Sequence, residues 1–351
     1  MGDQGTYDVA LVVPAQGPTG LFGPSCELSA RLAVEEINER SGVLGRAMRL
    51  VMVDGGAAPL EVAREVGGLV GTGGVDAVIG WHTSAVRESV APVIVGRVPY
   101  IYTTLYEGGE DRPWVFPIGE TPRRQLRPAL HWFAGELGVR RWTVVGNDYV
   151  WPRASAGAVR EYLRELGGSV LGEHYVPLGT EDYGRVLGKV MAAGCEAVMV
   201  LLMGQDAVAF HRSFAAAGLD TEILRFGPLT DENMLLSMGA DVTHGLFASA
   251  GYFGTLPTEE SLDFSGRYHD RFGPTAPMLT GPGESCYEGV RLLSELLRIA
   301  GGGDVARMRA LSEGLRYDGP RGQVVMRDRH LSQKVFLAVA DGLEFDVIHQ
   351  L

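Results

Sequence analysis

Asp8-Val9-Ala10-Leu11-Val12-Val13-Pro14, followed by Gly17-Pro18-Thr19-Gly20-Leu21-Phe22-Gly23, is the stretch that decides the fold. The apolar run is short, ends in a loop of Gly and Pro, and lacks the alternation of a half-exposed strand. It predicts a parallel strand buried on both faces. From Ser25 to Arg40, Leu28, Leu32, Ala33 and Ile37 share one helical face, charges take the other, and Gly42 closes the segment. The cycle repeats as strand 48–54, helix 59–71, strand 76–80, helix 84–96 and strand 99–103. Short apolar runs alternating with amphipathic helices call for a parallel sheet with right-handed crossovers and helices on both faces.

A second series starts after Pro122: helix 123–137, strand 141–146, helix 153–166, strand 169–175, helix 182–193, strand 196–202, helix 205–217 and strand 223–227. Beyond it the pattern predicts a strand near 246–252, helices near 258–272, 283–300 and 304–314, and late strands near 322–326, 334–340 and 343–348. These late elements exceed what one sheet needs, so the chain is expected to cross back between two α/β domains. The expected division is 1–120 with 252–326, and 121–251 with 327–351. A length of 351 residues also exceeds what one core usually organises. No Ser/Pro-rich linker marks a boundary, which fits several short crossings.

A formal net charge of −12, with no local Lys/Arg cluster, makes nucleic acid and anionic lipid unfavourable partners. Cys26, Cys195 and Cys286 lie far apart without metal-ligand spacing, so neither a metal site nor a disulfide framework is expected. No run of ~18 apolar residues is present, and membrane insertion is not expected. The first twenty residues lack a basic start followed by an apolar run. The location expected is cytoplasmic if Met1 is the native start, and extracytoplasmic if a leader was removed. G-x-S-x-G, H-E-x-x-H and Walker patterns are all lacking, and the expectation is a protein that is not an enzyme and takes no cofactor.

In open parallel sheets, ligands bind at the carboxyl ends of the strands. The first such loop, 17–23, spaces its glycines as G-x-x-G-x-x-G, and Asp54 lies well beyond the ~20-residue separation of a dinucleotide fingerprint. Trp81-His82-Thr83-Ser84 stands before a helix, where hydroxyls and backbone N–H groups suit a carboxylate or carbonyl oxygen, although Ser is also a favoured N-cap. Thr103-Thr104-Leu105-Tyr106-Glu107-Gly108 follows the next strand. Asn147-Asp148-Tyr149-Val150-Trp151-Pro152-Arg153 sets an aromatic pair at a strand exit, either as a pocket wall or as core.

Gly80-Trp81-His82-Thr83-Ser84, Tyr106-Glu107-Gly108 and Asp148-Tyr149-Val150-Trp151-Pro152-Arg153 together resemble the amide- and urea-binding branch of the type I periplasmic binding proteins, relatives of the leucine/isoleucine/valine-binding proteins. The resemblance continues in Tyr175-Val176-Pro177-Leu178-Gly179, in Tyr317-Asp318-Gly319-Pro320-Arg321-Gly322 and in Arg329-His330-Leu331. It implies two Rossmann-like three-layer domains, three hinge crossings and a ligand cleft between the domains. By motif position it makes Ser84 and Thr104 hydroxyl donors, with His82, Thr83 and Tyr102 lining the pocket. Tyr149 and Trp151 close from the second domain, with backbone near Met203 and Gly204 and side chains of Thr230 and Asp231. His82 stands where this branch usually has Tyr or Trp, and Trp151 where it has Tyr or Phe.

The function implied is binding of a small polar solute (an amide, urea, amino acid or short organic acid) for delivery to an ABC permease. The alternative is a cytoplasmic sensor acting on a regulatory protein partner. A nucleotide-dependent enzyme is the third reading, and it lacks its fingerprint.

Overall fold

The computed structural model describes residues 5–351. In chain order the first elements are β1 (Tyr7–Val13), α1 (Gly23–Glu39), β2 (Met48–Asp54), α2 (Pro59–Gly71), β3 (Ala77–Gly80), α3 (Ser84–Ile94), β4 (Tyr100–Tyr102) and β5 (Val115–Pro117). Then come α4 (Pro122–Glu136), β6 (Arg141–Asn147), α5 (Val150–Glu165), β7 (Ser169–Val176), α6 (Gly184–Ala193), β8 (Ala197–Leu201), α7 (Gly204–Ala216), β9 (Leu224–Phe226), α8 (Glu232–Met238) and β10 (Leu246–Ala250). The last are α9 (Glu259–Phe272), α10 (Gly281–Ala300), α11 (Val305–Ser312), β11 (Arg316–Gly319), β12 (Gly322–Arg327), β13 (His330–Ser332), β14 (Phe336–Asp341) and β15 (Glu344–Gln350).

Two compact units emerge. The first comprises the described residues through Thr104 together with Gly109–Gly119 and Pro257–Gln333; the second comprises Leu105–Gly108, Glu120–Leu256 and Lys334–Leu351. In the first, β2-β1-β3-β4-β5 form one sheet, parallel throughout, and β11-β12-β13 a small antiparallel one. β1 lies between β2 and β3, and Val9 to Val12 have no exposed surface, as its unbroken apolar run requires. In the second unit the order is β15-β14-β10-β9-β8-β6-β7, parallel from β10 to β7 and closed by antiparallel β14 and β15.

The main crossings fall after Gly119, Leu256 and Gln333, not after 120, 251 and 326. The second is displaced because 251–256 is fastened to its own unit. Gly251 N–H donates to Glu120 Oε1 (2.8 Å), Gly254 N–H to Glu232 Oε1 (2.7 Å), and Thr255 Oγ1 to the Phe345 carbonyl (2.6 Å). The third moves because β13 pairs with β12 and keeps 330–332 in the first unit. A further short excursion, 105–108, joins the second unit where Tyr106 N–H reaches the Glu120 carbonyl at 2.9 Å.

Local chemistry fixes where the strand-end loops run. Asp54 at the end of β2 accepts the Ala15 and Gly56 N–H groups, both at 2.8 Å, and the Gln16 amide at 2.7 Å. Its carboxylate thus organises the glycine loop after β1. A Cβ on Gly23 would stand 2.0 Å from the Pro14 carbonyl oxygen, so α1 can start that close to β1 because the residue has no side chain.

Candidate functional site

In the first unit the relevant side chains gather at the carboxyl ends of β3 and β4. β3 pairs with β4 so that Gly80 faces Tyr102, and two residues further on the same register brings His82 beside Thr104. Thr104 Oγ1 accepts from the His82 N–H and donates to the His82 carbonyl, both at 2.9 Å. The Tyr102 phenol donates to that same carbonyl at 2.9 Å. Thr104 is therefore not positioned as a hydroxyl donor to a solute, because its proton is spent on the backbone it braces. Tyr102 likewise turns its phenol proton inward.

The His82 ring is buried, with Nδ1 3.2 Å from the Thr83 carbonyl and Nε2 2.8 Å from the Tyr100 phenol. A carbonyl accepts and does not donate, so Nδ1 carries the proton and Nε2 accepts from Tyr100. Burial, with the nearby Arg87 cation, pushes its pKa down to about 4, and the ring is neutral. His82 thus braces the wall of the cluster from within. Thr83, rather than Ser84, is the N-cap of α3; its Oγ1 accepts from Val86 N–H at 3.4 Å. Ser84 is buried in the first turn, next to the positive pole of the helix. Trp81 packs against Phe22 with the ring planes tilted by 45° and centroids 4.4 Å apart.

In the second unit the ends of β6, β8 and β9 supply the residues. Tyr149 is half-buried and Trp151 buried at the start of α5, their ring centroids 6.3 Å apart. Met203 N-caps α7, but its N–H donates to Asn147 Oδ1 at 2.8 Å and its side chain is buried. That N–H is thus committed inside the unit, against the expectation for Met203. Gly204 opens α7 at φ +43°, a left-handed conformation that favours glycine. Thr230 packs over Gly227, where a Cβ would lie 2.2 Å from Thr230 Oγ1. Asp231 caps α8 by accepting the Met234 N–H at 3.0 Å.

Two residues absent from the expectations hold this corner together. Asn147 Nδ2 donates to Asp206 Oδ2 at 2.6 Å, and Asp206 also accepts the Gly179 N–H at 3.0 Å. Burial raises the pKa of Asp206, while the Asn147 and backbone donors oppose the rise. An Asn ending a buried apolar strand, where a hydrophobic residue would be ordinary, was the available signal for Asn147. Asp206 carried none, because it reads as an acidic first-turn residue.

A family model described as periplasmic binding protein matches residues 6–343. The chain belongs to the periplasmic binding protein family. Among its relatives, the Leu/Ile/Val-binding protein homolog 6 of Brucella melitensis is 23% identical over 341 residues, covering 94% of this chain and 86% of that protein. Among solved structures, the solute-binding protein of an ABC transporter from Rhodopseudomonas palustris BisB5, in complex with 3,4-dihydroxybenzoic acid, superposes with a TM-score of 0.88 at 22% identity, covering 99% and 97% of the two chains. The branched-chain amino acid binding protein LivJ from Streptococcus pneumoniae, in complex with isoleucine, superposes with a TM-score of 0.85 at 17% identity, covering 98% and 99%. The fold of this binding protein is that of type I. The narrower likeness to amide and urea binders rests on its motifs alone. Among the described residues no helix is long and apolar enough to cross a membrane, and no group of three or more His, Cys, Asp or Glu is placed to hold a metal ion.

Proposed function

We propose that this chain is the solute-binding component of an ABC transporter and takes a small organic solute bearing a carboxylate beside an apolar body. The observation that carries this reading is the chemistry of the strand ends. α3 and α7 begin there, and the positive pole of a helix favours an anion. Each unit carries suitable groups at its own strand ends, Ser84 in the first and Tyr149, Trp151 and Thr230 in the second, which are neutral hydroxyls and aromatic rings; the acidic member, Asp231, is engaged as a cap. Helix starts and hydroxyls of this kind suit a carboxylate, and rings of this kind suit a hydrocarbon or aromatic portion. The relatives agree in kind, because isoleucine and dihydroxybenzoic acid both join a carboxylate to an apolar body. Binding, rather than turnover, is the activity proposed.

A melting screen tests it with L-isoleucine, L-leucine, benzoate, 4-hydroxybenzoate, acetamide, urea, NAD and ATP. A solute at 100 times its Kd should stabilise the protein by ~2.7 kcal/mol. A shift with one of the carboxylates, and recovery of that compound unchanged, is expected. A response to acetamide or urea in place of the acids would refute the carboxylate assignment. A response to NAD or ATP instead would refute solute binding altogether.

A further inference from the structure

Glu232 has no use in the site as built so far. It opens α8 directly after Thr230 and Asp231, and it is 3% exposed. One carboxyl oxygen, Oε1, accepts the Gly254 N–H at 2.7 Å, and Oε2 is buried with no hydrogen-bond partner among the described residues. Gly254 belongs to 251–256, the last stretch of the second unit before the chain crosses after Leu256. That stretch is held by Glu120 at Gly251, by Glu232 at Gly254, and by the bond from Thr255 to the Phe345 carbonyl; Phe253 also packs on Phe345 with centroids 5.0 Å apart. Glu232 thus ties the Thr230–Asp231 corner to the segment that leads out of the unit.

The elements packed on α8 carry other titratable groups, and those of α7 are bonded to groups other than the Glu232 carboxyl. On α7, Asp206 is bound to Asn147 and Gly179, His211 faces Arg225, and Arg212 reaches the Ser237 and Met238 carbonyls. Asp241 lies in the turn after α8, and Glu344, Asp346 and His349 lie on β15. The Glu232 carboxyl is perturbed first by its burial, which raises its pKa to about 7; the N–H groups of Gly254 and of Glu232 itself oppose the rise. A carboxylate without a counter-cation in such a place is costly, and admitting water to Oε2 relieves it.

We propose that Glu232 is a positioning residue of the solute site: its protonated carboxyl group holds Gly251–Leu256 on α8, and losing the proton loosens both that segment and the Thr230–Asp231 corner. The proposal rests on the reading of Thr230 and Asp231 as solute contacts, and its first test needs no solute. Backbone amide exchange of the full chain is followed from pH 6 to 8.5, corrected for intrinsic rates, in wild type and Glu232→Gln, whose amide cannot ionise. Wild type should lose protection in 251–256 and 229–234 together, roughly tenfold in all from pH 6 upward, with the loss levelling off once the pH has passed about 7. The Gln variant should keep constant protection. Protection that is independent of pH in wild type, or that falls equally in the variant, overturns the proposal. The second test is the Kd of whichever of 4-hydroxybenzoate or L-isoleucine shifts melting. It should rise roughly tenfold from pH 6 to pH 8 in wild type and less than about twofold in Glu232→Gln. An exchange change without an affinity change would overturn the coupling to the site. A screen in which no solute binds refutes the proposed function instead, and the exchange result then decides the role of Glu232.

Discussion

Lowering the pH should destabilise the first unit through His82, with a magnitude set by the burial of its ring. The folded-state pKa is about 4 against an ordinary 6.5, so the unfolded chain takes the proton first. Above pH 6.5 the neutral ring contributes fully; between 6.5 and 4 stability is lost at up to ~1.4 kcal/mol per pH unit, and below 4 the loss levels off. A gap of about 2.5 pH units corresponds to roughly 3 kcal/mol in all. Glu232 acts with the opposite sign, because its raised pKa stabilises below 4.5 and that contribution is lost as pH rises through about 7. The two trends overlap in wild type, so the informative quantity is the difference in urea-unfolding free energy between wild type and His82→Gln. Gln cannot titrate, and Glu232 is common to both proteins. The stability of wild type relative to the variant should be constant above pH 7 and fall steadily from pH 6.5 to 4.5. A difference that stays flat across that range would refute the buried neutral ring, and with it the donor assignment from Tyr100 to Nε2.

Ser84→Ala should weaken the solute by ~1–3 kcal/mol with little change in melting temperature, whereas Thr104→Ala should lower stability by ~1–3 kcal/mol because the His82 N–H and carbonyl both lose a partner. Parallel melting and titration calorimetry separate the two effects. Asn147→Ala strands the Met203 N–H and removes the Asp206 donor, and should cost ~2–4 kcal/mol in urea unfolding of the second unit. Gly80→Ala would place a Cβ 2.2 Å from the Val12 carbonyl oxygen between two paired strands. It should destabilise the first unit by ~1–3 kcal/mol or more, read by the same unfolding curves.

The architecture was largely legible because its signals are local. β1, α1 and the elements to β4 follow from apolar period and terminators that need no knowledge of the partner. β5, β11 and β13 escaped because three or four residues cannot display a period and these strands lie outside the regular strand–helix alternation that located the equally short β3, β4 and β9, and α8 because its seven residues begin with Glu-Asn. The site was legible by position and much less by role. Strand ends located His82, Thr83 and Ser84, yet the link between Thr104 and His82 depends on the register of β3 against β4, which no single segment encodes. The bond from Asn147 to Asp206 joins residues 59 apart and is likewise a product of packing.

This difference bears on where selectivity resides. A polar atom that has met its partner inside the chain cannot turn to a solute without breaking that bond, and buried bonds are expensive to leave unmade. Thr104, the His82 ring and the Met203 N–H are in that position, and the Asp231 carboxylate is engaged at the start of α8. Substituting them is expected to change the rigidity of their own unit more than the choice of one solute over another. Selectivity is then left to groups whose shape faces the solute, and in the proposed site these are the Tyr149 and Trp151 rings at the start of α5. Tyr149 is half-buried, so a smaller ring or a truncation there changes the lining while the core stays packed. Trp151 is 3% exposed, and its indole serves the packing of α5 as well as any solute. Selectivity and stability are therefore separable at Tyr149 and coupled at Trp151.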